Sequence, residues 1–469
     1  MKIENIDVIK KIGEEVELAG WVHARRDHGK IIFIDLRDRS GLVQVVLSEK
    51  LYEKAKGLGP EFVVKIKGLV KERPENMKNE KIATGSVEIE ATDLEILAKA
   101  KVPPFNPTED TRKVNEDKRM EYRYIDIRSE RMRKNLELRG KVIKFLRDYL
   151  NKLGFLEIET PNLTKSTPEG ARDYLVPCRV HFGQFYALPQ SPQQFKQLLM
   201  VAGIEKYFQI ARCFRDEDPR GDRQPEHTQL DLEMSFIEQK DVMKLNEDLL
   251  IALVKEIAPD KKINEIPFPV MTYAEAIEKY KTDRPDLRKD QSDEKELGFC
   301  WVIDFPFFKK DPDGKWTFTH NPFSDPMPED KEKFLKGEIE KTRTSQYDIV
   351  LNGSEIGGGS IRSHQAEILN KVFEVLGYSK EKTQDQFGHM FKAFEFGVPP
   401  HGGIAWGVDR LVSILANEKS IREVIAFPKT GDGRDLLMGA PSEVDQEQLD
   451  ELGIKIVKQS AGGSQTENK

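Results

Sequence analysis

The segment FRDEDPRGDRQPEHTQLDLEMSF, beginning at Phe214, is the chain's densest run of chemistry-bearing side chains. Arg215, Arg220 and Arg223 are interleaved with Asp216, Glu217 and Asp218. Gln229, Asp231 and Glu233 then follow at every second position. On a strand that spacing turns three polar side chains to one face. Such a face inside a globular domain is unfavourable unless a ligand satisfies it. A solvated edge hairpin is the competing reading, and charge alone favours it. The usual nucleotide signatures are missing: there is no GxxxxGK[ST] and no GxGxxG, and EIGGGSIR lacks a P-loop lysine. A bound nucleotide would have to be held by arginines and a metal.

Composition bounds the setting. At 469 residues, 38% hydrophobic and 33% charged, the chain reads as two or three folded domains. No apolar run approaches the roughly 20 residues of a membrane span, and the charged N-terminus has no signal-peptide core. Cys178, Cys213 and Cys300 lack metal or disulfide spacing, so reduced thiols, a cytoplasmic location and no zinc are expected. The net charge of −7 argues against general polyanion binding. The first hundred residues balance 18 basic against 18 acidic side chains, so a nucleic-acid site would be a local patch. Arg25, Arg26, Lys30, Arg37 and Arg39 are the candidates for it.

The elements that must position these residues fall into two sets. VELAGWV, IIFIDL, GLVQVVL, FVVKIKGLV and SVEIEATDLEIL read as five strands, with a short helix after the third. That is the layout of an OB-fold barrel over 1–104, with other small barrels or sandwiches as the alternative. Residues 105–130 are rich in proline and mixed charge and read as a hinge linker. From Leu136 to Leu153 apolar residues recur at helical spacing, and Gly154 ends that helix. The strand FLEIE and Pro161 come next. An α+β domain is expected over 131–450, followed by a C-terminal extension and tail over 451–469.

Three stretches in order resemble the motifs of class II aminoacyl-tRNA synthetases. TPNLTKSTPEGARDY, from Thr160, resembles the end of motif 1. The Phe214 hairpin resembles motif 2, with Phe214, Arg215 and Glu217 as its FRxE signature. GGIAWGVDRL, from Gly402, resembles motif 3. Between them, ALPQSPQQFKQLLM and YDIVLNGSEIGGGSIRSH are similar to aspartyl-tRNA synthetases in particular. The resemblance spans nearly the whole chain and implies an OB-fold anticodon-binding domain joined to a class II catalytic domain, an antiparallel sheet flanked by helices. The implied activity is aspartate–tRNA ligation with ATP and Mg²⁺. The implied partners are L-aspartate, tRNA(Asp) and a second copy of the chain in a homodimer, Pro161 and the preceding helix lying near its two-fold axis.

The resemblance also implies roles. Arg215 grips the α-phosphate and the substrate carboxylate, and Arg410 lies on the γ-phosphate side over adenine. Asp216, Glu217, Gln224, His227, Gly407, Val408 and Asp409 line the nucleotide site. Asp348 and Glu355 are the magnesium carboxylates, Glu355 also facing ATP. Lys196 and Arg362, with His320 nearby, meet the side-chain carboxylate of aspartate; Glu169, Gln193 and Asp231 meet its ammonium. Arg26, Phe33 and Gln44 match anticodon-reading positions, while a core role for Phe33 is the plainer alternative. His227 stands where the family usually has phenylalanine. The large insertion that bacterial members carry after a segment like DRPDLR is absent beyond Arg288. His28, and in part Asn76, match members that charge both tRNA(Asp) and tRNA(Asn), so single and dual acceptor ranges stay open. Asparaginyl- and lysyl-tRNA synthetases share the architecture, and a non-catalytic tRNA-binding paralogue is the alternative outside enzymes. Lys196 with Arg362 disfavours a neutral amide substrate.

Overall fold

The computed structural model describes residues 3–166, 169–217 and 222–457, and it divides into two compact units, Met1–Glu130 and Arg131–Lys469. In the first unit, β1 (Glu15–His28), β2 (Ile31–Asp38), β3 (Gly41–Leu47), β4 (Val63–Glu72) and β5 (Val87–Ala98) close a barrel in the order β1-β2-β3-β5-β4. Alternation decides which side chains enter it: Ile32, Ile34 and Leu36 point in with Val43, Val45 and Leu47. A short helix, Tyr52–Ala55, sits between β3 and β4. This is the five-strand order with a helix after the third strand expected of an OB-fold.

Residues 105–130 depart from the linker expectation. They contain helices Glu116–Glu121 and Arg123–Asp126, with Met120 and Ile125 buried. The buried Asp126 carboxylate accepts from Arg123 at 2.7 Å and Arg119 at 3.3 Å. The segment falls in the barrel's unit, and these buried apolar and ionic contacts, which composition averages hide, set it apart from a solvated linker.

The second unit opens with the expected amphipathic helix, Glu130–Lys152, which buries Val142, Leu146 and Leu150; Gly154 follows at φ 80°. Its sheet has eight strands: β6 (Leu156–Glu157), β7 (Lys206–Phe214), β8 (Glu226–Ser235), β9 (Val270–Thr272), β10 (Phe299–Ile303), β11 (Gln346–Leu351), β12 (Ser354–Ile361) and β13 (His401–Gly407). Their order is β9-β10-β11-β12-β13-β8-β7-β6. The inner six pair antiparallel, whereas β6 on β7 and β9 on β10 pair parallel, so the sheet is mixed rather than purely antiparallel.

One face of this sheet carries Leu230, Leu232, Ile404, Trp406 and Ile349, packed on helices Gln239–Ile257 and Val408–Leu415. The other face of β8 carries Gln229, Asp231 and Glu233, all buried. The Phe214 hairpin therefore lies inside the sheet, and the solvated-edge reading fails. Asp218 and Arg220 lie outside the described residues, as do residues 458–469 of the extension and tail expected over 451–469. Among the described residues no helix is long and apolar enough to cross a membrane.

Candidate active site

The polar side of the sheet forms a floor whose small residues make room for carboxylates. Asp348 on β11 lies opposite Gly358 on β12, which lies opposite Ala405 on β13, which lies opposite Asp231 on β8. Glu233 lies opposite Gly403 in the next row. A Cβ at Gly358 would come within 2.8 Å of Asp348 Oδ1, and one at Gly403 within 2.3 Å of Glu233 Oε2. Both glycines are required by this close approach.

Two cavities open on the floor. One, of about 200 Å³, is lined by all seven residues expected to hold the amino-acid substrate: Glu169, Gln193, Lys196, Arg215, Asp231, His320 and Arg362. The other, of about 240 Å³, is lined by eight of the ten expected nucleotide residues: Arg215, Glu217, Gln224, His227, Glu355, Gly407, Asp409 and Arg410. Arg215, Gln229, Glu355 and Ala405 line both. An anion bound in one cavity can therefore meet an anion bound in the other beside Arg215.

The amino-acid cavity is built on a quartet of charges. Lys196, on helix Gln193–Val201, places Nζ 2.8 Å from Asp231 Oδ1 and 3.1 Å from Glu233 Oε2. Arg362 donates through Nε to Glu233 Oε1 at 2.9 Å, and through Nη1 to Ser360 Oγ at 2.8 Å. Its Nη2 makes longer contacts, 3.3 Å to Glu233 Oε2 and 3.4 Å to the Gly403 carbonyl. All four charged residues are essentially inaccessible to solvent. Burial opposes ionisation of Glu233, yet Arg362 and Lys196 hold its carboxyl at about 2. Asp231, with Lys196 as its near cation, is raised because burial outweighs that cation. Sequence reading set Glu233 on the polar face without a role; the alternation Gln229–Asp231–Glu233 was the signal for it. Gln193 Nε2 and Gln346 Oε1 also lack partners at this cavity.

Asp348 accepts from Gln346 Nε2 at 2.6 Å and lies 3.2 Å from His320 Nε2. Burial works against charge on His320, but the Asp348 and Glu355 carboxylates prevail and raise it. Glu355 is raised as well, first by the like charge of Asp348 and then by burial. A divalent cation would relieve the like charge that raises Glu355, so the Asp348 and Glu355 carboxylates fit a magnesium ion. Among the described residues no group of three or more His, Cys, Asp or Glu side chains is placed to hold a metal unaided. Two protein carboxylates plus substrate phosphates is the arrangement Mg²⁺ commonly accepts.

In the nucleotide cavity Arg410 donates to the Glu355 carbonyl and, at 3.3 Å, to Asp222 Oδ2; Arg223 pairs with Glu217 at 2.8 Å. Burial and then the Arg215 guanidinium depress His227 to about 3, so its imidazole is neutral and can stack. Two of the ten expected residues do not line the cavity, and two that do line it have their polar groups engaged by the protein. The Val408 side chain is in the hydrophobic core, because it is on the inner face of its helix. Asp216 does not line the cavity; its N–H donates to the Arg172 carbonyl at 3.0 Å. Gln224 lines it, but its amide is engaged with the Lys429 backbone at 2.7 and 3.1 Å. Asp409 lines it too, with both carboxylate oxygens taken by Arg139 and the Thr228 N–H.

On the barrel, Arg26 faces Phe33 across β1 and β2 and donates to both oxygens of Asp35, at 2.9 and 3.0 Å, and to Gln44 at 3.5 Å. Phe33 is half-buried on the outer face, not in the core, and His28 meets it edge-on at 5.6 Å. Asn76 is exposed on the turn Glu75–Met77. The basic cluster is largely neutralised: Arg25 pairs with Asp27, Lys30 with Glu49, Arg39 with Glu4 and Arg37 with the buried Glu61.

Comparison with known proteins agrees with this geometry. Residues 115–431 match the family "tRNA synthetases class II (D, K and N)", and residues 16–97 match "OB-fold nucleic acid binding domain". The chain is 42% identical to an "Aspartate--tRNA(Asp/Asn) ligase" of Dehalococcoides mccartyi (strain CBDB1), over 95% of this chain and 97% of that one. It is 41% identical, with the same coverage, to an "Aspartate--tRNA ligase" of Staphylococcus saprophyticus. The first alignment runs over 585 positions against 469 residues here, so at least 116 positions are filled only by the relative. Among solved structures, asparaginyl-tRNA synthetase from Pyrococcus horikoshii has the same fold, with a TM-score of 0.74 at 24% identity over 92% of this chain and 98% of that one. Aspartyl tRNA synthetase from Entamoeba histolytica gives 0.73 at 21% identity over 91% of each.

Proposed function

The chain belongs to the class II tRNA synthetases, and on that premise we propose that it activates L-aspartate with ATP and esterifies it to tRNA(Asp) and tRNA(Asn). The observation that carries this reading is the pair of cavities joined at Arg215, one built around a four-charge quartet and the other around arginines and a neutral imidazole. An α-carboxylate oxygen of aspartate attacks the α-phosphorus of ATP, the α–β anhydride breaks, and pyrophosphate leaves. A hydroxyl of the tRNA 3′-terminal ribose then attacks the acyl carbon and AMP leaves. The first nucleophile is already ionised, so the protein's work is alignment and charge stabilisation.

Each residue has a part in this. Arg215, shared by both cavities, neutralises the two anions that must approach one another. Arg410 meets the terminal phosphates, and His227 stacks on adenine. Asp348 and Glu355 would hold Mg²⁺, which would supply phosphate charge neutralisation. Lysine has three N–H donors and arginine five. In the quartet Arg362 makes four donor contacts and Lys196 two ion-pair contacts, and both cations line the cavity that receives the substrate's side-chain carboxylate. Glu169, Gln193 and Asp231 take the ammonium.

The dual acceptor range is supported by His28 at the edge of Phe33, where it can touch a base stacked on that ring, and by similarity to ligases named for both tRNA(Asp) and tRNA(Asn). The exposed Leu153, Leu156 and Leu163 around Pro161 support a homodimer. The barrel is the anticodon-reading domain and the second unit the catalytic one. Free cysteines fit a cytoplasmic location. The test is pyrophosphate exchange with each amino acid in turn, followed by charging of the two transcripts. Exchange with asparagine or lysine but not aspartate would replace this reading, and no exchange with any amino acid would favour a non-catalytic paralogue.

A further inference from the structure

The helix that presents Arg410 begins where β13 ends, and the way it begins is unusual. Gly407 is the last residue of β13 and pairs with Gln229 of β8. Beyond it the chain turns into helix Val408–Leu415, so Thr228 of β8 has no residue of β13 opposite it. Its N–H donates instead to Asp409 Oδ2 at 3.0 Å. A carboxylate in the first helical turn thus continues the ladder that the missing strand would have supplied.

That carboxylate is buried and needs a counter-charge. Arg139, from helix Glu130–Lys152, donates through Nη1 to Asp409 Oδ1 and through Nη2 to Thr228 Oγ1 at 3.0 Å. Nη1 also reaches the Val424 carbonyl at 3.4 Å. Arg212 donates to the same Thr228 hydroxyl at 3.0 Å. The residues flanking this knot, His227, Gln229 and Arg410, all line the nucleotide cavity, whereas Arg139 does not.

We propose that Arg139 is a positioning residue for ATP: through Asp409 and Thr228 it fixes the start of the Arg410 helix against β8, and so sets where the Arg410 guanidinium stands. Asp409 is then the anchor of this joint, not a ligand of the nucleotide. The Arg410 side chain departs from the next residue along, so a shift of the joint is transmitted to it directly. Nothing in the joint touches the Lys196–Arg362 quartet, so aspartate binding should be spared. The inference rests on the reading of the Arg410 cavity as the ATP site.

The test is aspartate-dependent pyrophosphate exchange and direct ATP binding by calorimetry on the full chain, comparing wild type, Arg139→Leu, Arg139→Lys, Asp409→Asn and the Arg139→Leu/Asp409→Asn double variant. Arg139→Leu should raise the KM for ATP, and the ATP Kd with it, by roughly tenfold or more, as small misplacements of aligning groups do. The KM for aspartate should stay within about threefold of wild type, since its contacts are untouched. Arg139→Lys should recover most of the loss. The double variant, which buries no unpaired carboxylate, should be no worse for ATP than Arg139→Leu, and it carries the test if that single variant fails to fold. An unchanged ATP KM in a folded Arg139→Leu, a parallel rise in both KM values, or multiplicative effects in the double variant would overturn the inference. Absence of exchange by the wild type would instead overturn the functional reading beneath it.

Discussion

Lys196→Met tests the charge quartet most directly. Lys196 lies between Asp231 and Glu233, at 2.8 and 3.1 Å, and is buried with them. Removing it leaves Arg362 facing two buried carboxylates, and the group passes from neutral to a net negative charge. Breaking a buried ion pair costs about 3–5 kcal/mol, a large share of the roughly 5–15 kcal/mol of a typical domain. The variant should therefore fold but melt measurably earlier. The substrate loses one charged hydrogen bond, about 1.5–3 kcal/mol, or roughly 10- to 150-fold in kcat/KM for aspartate, while the KM for ATP holds. The pH dependence carries its own sign. Glu233 is held at about 2 in the folded protein, below the ordinary 4.5, so its stabilisation is present above 4.5 and is lost as the pH falls toward 2. Without Lys196 the folded carboxyl is held down less, so that stabilisation is smaller and its loss is complete at a higher pH. Asp231, already raised, protonates earlier on acidification, so the KM for aspartate should climb at a pH where an ordinary carboxylate would still be ionised. The measurements are thermal melts across pH 3–8 with aspartate-dependent pyrophosphate exchange in parallel. Wild-type exchange together with an unmoved acid limb in Lys196→Met would refute the quartet as the seat of substrate recognition.

Arg410→Ala and Glu355→Ala should each reduce adenylate formation by at least about a hundredfold with little change in melting temperature, since neither side chain is in the core; near-normal exchange at saturating ATP and Mg²⁺ would misplace the nucleotide site. The segment Met1–Glu130, including its two short helices, should fold alone and bind tRNA weakly. Because Arg25, Arg26, Lys30 and Arg39 must leave surface acids to reach phosphates, that binding should weaken with salt but with a shallow slope, and a salt-independent affinity would count against it. His28→Leu should narrow the acceptor range: if the wild type charges both transcripts comparably, the variant should favour tRNA(Asp) by roughly tenfold or more, about 1.4 kcal/mol. A wild type that already prefers tRNA(Asp) by about a hundredfold, or a variant with unchanged preference, removes His28 as the discriminator.

Much of this architecture is legible in residue order because period and side-chain type agree. The barrel strands alternate, the Glu130–Lys152 helix repeats every three or four residues, and Gln229, Asp231 and Glu233 announce a polar face on a strand whose other face, Leu230 and Leu232, is apolar. Where the sequence misled, the deciding contact joins distant positions. Asp409 resembles a nucleotide ligand by its place beside Arg410, but Arg139, 270 residues earlier, claims its carboxylate. Val408 sits in the same short motif, yet helical geometry sends its side chain inward. Residues 105–130 have a linker's composition, while Asp126 and two arginines tie them into short helices. Local spacing cannot reveal such pairings, because either partner alone looks like a solvated charge.

The quartet also changes how aspartate would be told from asparagine. Two cations alone would argue for selection by net charge. With Asp231 and Glu233 paired to them, the four charges already cancel, and what remains is a pattern of donors. Arg362 makes four donor contacts inside the quartet and Lys196 two ion-pair contacts, and both residues line the cavity where a substrate side chain would sit. A carboxylate accepts from both. A carboxamide can turn its oxygen to only one, leaving its own N–H against the other donor. A buried donor facing a donor loses the hydrogen bond and keeps the desolvation penalty, which is how sites built to bond one group reject its near-isostere. Glu233 is essential to this scheme: by taking the Nε and Nη2 edge of Arg362 it fixes which edge is left for the substrate. A pocket with the same two cations and no Glu233 would attract anions more strongly and choose between them less well.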